Sequence, residues 1–131
     1  PGVHALTDVT GFGLAGHALE MARGAGCDLH LDRESVPLLP GVAALVEAGF
    51  LTGASGRNWA SYGAEVSLSE GFSPEDRALL SDPQTSGGLL VSCAEDAVDA
   101  VMSTFQRHGF TDAAIIGRVT APAETPRLIL G

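Results

Sequence analysis

The sequence predicts an α+β domain with α/β/α layering, a mixed β-sheet with helices packed on it. Three observations predict this. Apolar residues recur at helical spacing in two long segments, near 14–24 and 94–108. Short segments of alternating or continuous apolar character lie between them and after them. Apolar residues make up 45% of the 131 positions and the mean hydropathy is +0.22, enough for one core and against disorder. No repeat, low-complexity tract or internal boundary divides the chain, so residues 1–131 read as a single domain.

The first helix begins at Leu14, with Leu14, Ala18, Met21 and Ala22 on one face and Gly24 and Gly26 at its end. Cys27, Leu29 and Leu31 alternate with Asp28, His30 and Asp32, the period of a half-buried strand. Pro37 and Pro40 break the chain, and a short helix runs from about Gly41 to Ala48. Residues 52–63, rich in Gly, Ser and Asn, read as a long loop. Val66 and Leu68 suggest a strand. Ser73-Pro74-Glu75-Asp76 is a helix start, with Ser as N-cap, Pro at N1 and an acid at N3. The apolar run 88–93 reads as a strand covered on both faces. The helix 94–108 carries Val98, Val101, Met102 and Phe105 on one face, and a strand over 113–119 completes an expected right-handed β-α-β unit. A short strand at 127–130 ends the chain.

Composition limits function. Sixteen acidic side chains against seven basic ones leave a formal charge of −9, which argues against nucleic acid as a partner. There is no lysine, so a polyphosphate needs a metal ion, backbone N–H groups or basic groups from elsewhere. Cys27 and Cys93 are not in CxxC spacing and read as small buried hydrophobes. With no signal peptide and no apolar run of roughly 18 residues, the expectation is a soluble, cytoplasmic protein without a membrane partner. The start at Pro1-Gly2, directly before a motif, suggests a processed or fragmentary chain.

Two polar, glycine-rich segments carry the chemistry. The first, His-Ala-Leu-Thr-Asp-Val-Thr-Gly-Phe-Gly-Leu at 4–14, puts one carboxylate, Asp8, on a turn ahead of a helix. That is an arrangement suited to a hard cation beside phosphates. The second, Asp82-Pro83-Gln84-Thr85-Ser86-Gly87-Gly88, leads into a strand, and its backbone can approach an anion closely. Each has a plainer reading. Asp8 can simply turn the chain into its helix, with Thr10 as N-cap. Thr85, Ser86 and Gly87 can form a tight turn. Asn58 can reach a phosphate or hold its loop by an Asx-turn. His4 and His17 belong to no metal-ligand spacing and read as packed or surface residues, and His30 and His108 read as surface residues.

Thr-Asp-Val-Thr-Gly-Phe-Gly-Leu at 7–14 followed by Gly16-His17, Asp-Pro-Gln-Thr-Ser-Gly-Gly-Leu-Leu at 82–90, and Arg57-Asn58 with Ser61-Tyr62-Gly63 together resemble the selenophosphate synthetases, also called selenide, water dikinases. The likeness covers the C-terminal half of that family's usual protein, the domain shared with aminoimidazole ribonucleotide synthetase. The resemblance implies a complete protein that converts ATP, selenide and water to selenophosphate, AMP and phosphate. It implies Asp8 as a Mg²⁺ ligand and Asn58, Thr85, Ser86 and Gly87 as candidates for contact with ATP. An N-terminal domain would carry the reactive Cys or selenocysteine, a lysine, most ATP contacts and further magnesium-binding aspartates. No catalytic residue is assigned within this chain, the expected assembly is a homodimer, and the isolated chain is expected to be inactive. Ala15 stands where the family more often has Leu. The alternatives are a non-catalytic interaction module, docking through residues 52–63 and the apolar face of helix 94–108, or another ATP-dependent synthetase of the wider family.

Overall fold

A computed structural model describes residues 1–131. The elements are β1 (Val3–Asp8), α1 (Gly13–Ala25), β2 (Cys27–Leu31), α2 (Val42–Glu47), α3 (Gly53–Tyr62), β3 (Val66–Leu68), α4 (Pro74–Ser81), β4 (Leu89–Cys93), α5 (Val98–Arg107), β5 (Gly117–Pro122) and β6 (Leu128–Leu130). The main sheet is mixed, in the order β3-β6-β2-β5. β6 runs parallel to both β2 and β3, and β5 runs antiparallel to β2. A separate two-stranded ribbon pairs β1 with β4 antiparallel.

α1 is the central helix. Ala15, Ala18, Leu19 and Ala22 are fully buried and join Leu29, Leu31, Val66, Leu128 and Leu130 of the sheet in one core. Leu14 and Met21 lie at the margin of that core, so the buried stripe is wider than the apolar spacing alone suggests. Gly26 closes the helix in the left-handed conformation at φ 64°, as a C-terminal glycine should. α3 and α4 pack on α1 and on each other. α4 begins with the expected capping box, Ser73 and Asp76 satisfying one another's backbone N–H groups.

Five expectations are corrected. Residues 53–62 form a helix, not a loop. Thr52 caps it, its hydroxyl accepting from the Ser55 N–H at 3.2 Å. The β-α-β unit does not form, because β4 takes β1 as its partner and β5 pairs antiparallel with β2 in the other sheet. The last long strand starts at Gly117 rather than 113, where a Cβ would lie 2.0 Å from the His30 carbonyl oxygen, so the tight approach that begins the ladder needs glycine. β4 is covered on one face only: Leu90 is buried, while its neighbour Leu89 is 49% exposed. Both cysteines are free and half-buried rather than buried. α5 is amphipathic as expected but has no buried residue, since a broad apolar groove lies between the β1–β4–α5 flank and the body of the domain. No helix is long and apolar enough to cross a membrane.

Candidate functional site

The fold brings the two glycine-rich motifs together. β1 and β4 end side by side, with Asp8 opposite Leu89. Beyond the ribbon the contact continues: the Val9 N–H donates to the Gly88 carbonyl at 2.9 Å and the Gln84 N–H to the Thr10 carbonyl at 3.0 Å. Gly87 makes this possible. A Cβ there would sit 1.8 Å from the Val9 carbonyl oxygen, so no other residue fits without moving the turn.

The segment between Asp8 and α1 is held from a second side by α3. Asn58 donates its amide to the Gly11 carbonyl at 2.8 Å and to the Ser81 carbonyl at 2.9 Å. That uses both of its N–H hydrogens as a cross-brace between the first motif and the end of α4. It is not an Asx-turn. The buried Tyr62 hydroxyl donates to the Phe12 carbonyl at 2.6 Å, and burial pushes it up to about 12 while a backbone hydrogen bond at Gly16 opposes that rise. Gly13 takes φ +73° with Ser81 and Asp82 backbone atoms against it. Asp82 is itself consumed by structure, accepting from the Thr52 hydroxyl at 2.8 Å and the Ser55 hydroxyl at 3.0 Å.

Thr10 does not cap α1. The residue at that position is Phe12, which offers no side-chain cap. The Thr10 hydroxyl instead lies 3.1 Å from His17 Nε2, whose Nδ1 lies 3.0 Å from Glu20 Oε2. His17 is 7% exposed, a packed histidine with a polar partner on each side. Sequence reasoning gave it no role. The seven-residue separation of Thr10 and His17 around a glycine turn was the available signal.

Asp8 stands apart from this bracing. It is exposed, and the side-chain hydrogen bond at this residue runs from Thr7 to its main-chain carbonyl at 3.4 Å. No group of three or more His, Cys, Asp or Glu side chains gathers in the chain. Asp8 alone can supply one of the one or two carboxylates that Mg²⁺ takes beside phosphate oxygens and waters, and is not a complete site by itself. Thr85, Ser86 and Gly87 are exposed at the neighbouring turn, and their N–H groups donate to no other backbone group. That turn lies on the same end of the molecule as Asp8 through the Val9–Gly88 contact. The structure thus juxtaposes a free carboxylate, free backbone donors and a rigid glycine turn.

A mixed sheet over a buried helix, with a carboxylate-bearing glycine turn at the end of a side ribbon, defines an α+β domain. The chain belongs to the family described as AIR synthase related protein, C-terminal domain, which matches residues 1–128. It is 58% identical over 130 residues to a protein named selenide, water dikinase from Pseudomonas straminea, covering 99% of this chain and 36% of that protein. It is 60% identical over 119 residues to the protein of that name from Burkholderia ambifaria (strain MC40-6), covering 91% and 34%. For the one from Rhizobium meliloti (strain 1021) the identity is 50% over 129 residues, covering 98% and 37%. The chain spans about a third of the length of these curated relatives, less than the half expected. Among solved structures, E. coli HypE matches with a TM-score of 0.67 at 23% identity, over 98% of this chain and 31% of that one. That likeness supports the fold.

Proposed function

We propose that this chain is the C-terminal part of a selenide, water dikinase, a two-domain, homodimeric cytoplasmic enzyme that makes selenophosphate from ATP, selenide and water. Asp8 is its ligand to Mg²⁺ at the ATP phosphates. Asp8 would help hold the ion, which would supply charge neutralisation at the transferred phosphoryl group. Asn58 and Tyr62 hold the glycine turn so that Asp8 is presented in one place. Thr85, Ser86 and Gly87 offer backbone N–H groups to a phosphate, an anion nest that needs no lysine. The preceding domain supplies the reactive thiol or selenol, the lysine and the remaining carboxylates.

The observation that carries this reading is the convergence of the two motifs, 7–14 and 82–90, on one end of a domain that is 50–60% identical to proteins bearing that name. The test is selenide-dependent conversion of ATP to AMP and selenophosphate, followed by phosphorus NMR. The complete protein is expected to be active and residues 1–131 alone inactive. Selenophosphate made by residues 1–131 alone would overturn the shared site. In the complete protein, Asp8→Asn turnover equal to the unaltered protein at limiting magnesium would overturn the ligand role.

A further inference from the structure

Among the buried polar groups, His17 has a partner on each ring nitrogen, and one of the two, Thr10, belongs to the first motif. It lies on the second turn of α1 between Glu20 Oε2, 3.0 Å from Nδ1, and Thr10 Oγ1, 3.1 Å from Nε2. The Phe12 ring lies tilted against the imidazole with centroids 5.8 Å apart. Thr10 is two residues beyond Asp8. Val9 between them is buried, whereas Asp8 and Thr10 are exposed, and both flanks of this stretch are tied to the 84–88 turn. Asp8 and Thr10 thus both lie open to solvent, on either side of a buried residue.

Hydrogen-bond chemistry then sets a direction. An ionised carboxylate only accepts, so Glu20 draws the imidazole proton onto Nδ1. In the neutral ring Nε2 is left as an acceptor, and the single hydrogen of the Thr10 hydroxyl points into it. The Thr10 oxygen keeps nothing but lone pairs for the open side. An oxygen in that state repels a phosphate oxygen and attracts a cation or the hydrogens of its bound water. A freely rotating threonine would serve either.

We propose that Glu20, His17 and Thr10 form a positioning relay that locks the Thr10 hydroxyl as an acceptor for a water bound to the cation held by Asp8. The relay rests on the reading of Asp8 given above.

The test uses the complete protein and two readouts other than turnover: nitrogen-15 NMR of the histidine rings without metal, and direct Mn²⁺ binding by electron paramagnetic resonance. The expected result is His17 protonated on Nδ1, with that preference lost in Glu20→Gln. The Mn²⁺ dissociation constant is expected to rise about tenfold in Thr10→Val, to rise also in Glu20→Gln, and to stay within about twofold in Thr10→Ser. A His17 protonated on Nε2 overturns the relay. So does a Thr10→Val protein that binds Mn²⁺ normally while Asp8→Asn binds it weakly, a result that leaves the reading of Asp8 standing. Normal Mn²⁺ binding by Asp8→Asn overturns both. Where Thr10→Val fails to fold, Glu20→Gln decides, since that side chain is half exposed.

Discussion

Asp76, in the first turn of α4, and Asp8, ahead of the turn into α1, both stand at helix starts, yet the fold treats them in opposite ways. Asp76 is fully committed. Its carboxylate accepts from the Ser73 N–H at 3.0 Å and the Ser73 hydroxyl at 2.9 Å, and it is paired with Arg33. Arg33 is held in turn by the Gly71 carbonyl and by stacking over Phe72 at 5.5 Å. Burial pushes the Asp76 carboxyl up, but the Ser73 hydrogen bonds and the Arg33 guanidinium outweigh it and hold it below the usual carboxylate range. Around Asp8 the neighbours are the ones held: Val9, Thr10, Gly11 and Phe12 all have partners distant in the sequence, and the Asp8 carboxylate has none. A carboxylate that stabilises a fold is surrounded by donors. Asp8 is held through its neighbours' backbone and leaves its oxygens open, as the proposed ligand role requires.

The largest effect that would break this contrast is on activity at Asp8. In the complete protein, Asp8→Asn is expected to lower turnover at limiting magnesium by about 100-fold while leaving the melting temperature of the domain unchanged. A fall in melting temperature would make Asp8 a structural aspartate like Asp76. Next comes the bracing itself. Gly87→Ala forces a Cβ into the Val9 carbonyl, with an expected loss of about 2–3 kcal/mol in denaturant unfolding. Unfolding as stable as that of the unaltered chain would show that the turn yields and that the two motifs are not rigidly joined.

Asp76 supplies the converse case. Asp76→Ala removes one half of the capping box and the Arg33 partner, and is expected to cost about 1–2 kcal/mol of stability with turnover of the complete protein preserved. Because the folded state holds this carboxyl below its ordinary range, its contribution is present at neutral pH. It is lost as the pH falls below about 4. The unaltered protein is therefore expected to lose stability more steeply in acid than Asp76→Ala. Parallel pH profiles would remove the ion pair and cap from the account.

The same contrast explains what could be read from the sequence. α1, β2, β3, α4 and α5 were legible because apolar spacing or a Ser-Pro-Glu-Asp cap encodes them locally. α3 was not, because its inward face is polar: Ser55, Asn58 and Tyr62 recur at helical spacing, but they point hydrogen-bonding groups at Asp82, Gly11, Ser81 and Phe12. Those partners are between 20 and 50 positions away in sequence, and no local pattern contains them. β1 was hidden for a similar reason. Its residues were read for chemistry, and its strand character appears only through pairing with β4, more than 80 residues on. The roles expected of the motifs come from residue type alone, whereas their convergence requires the ribbon that joins them.

The smallest expected effect tests whether α3 braces the motif by hydrogen bonding or by packing alone. Tyr62→Phe keeps the ring, which lies edge-on to Trp59 at 6.4 Å, and deletes the hydroxyl that donates to the Phe12 carbonyl. At neutral pH this is expected to cost about 1 kcal/mol. Alkali separates the two contributions further. Burial raises the folded phenol from 10.0 to about 12, so the unfolded chain ionises first and gains on the folded one as the pH climbs between those values. Below pH 10 the residue adds no slope. Above it, the unaltered protein should lose on the order of 2 kcal/mol by pH 12, and Tyr62→Phe should lose correspondingly less over the same interval. Equal losses in the two proteins would place the ring, and not the hydroxyl, in charge of the turn that carries Asp8.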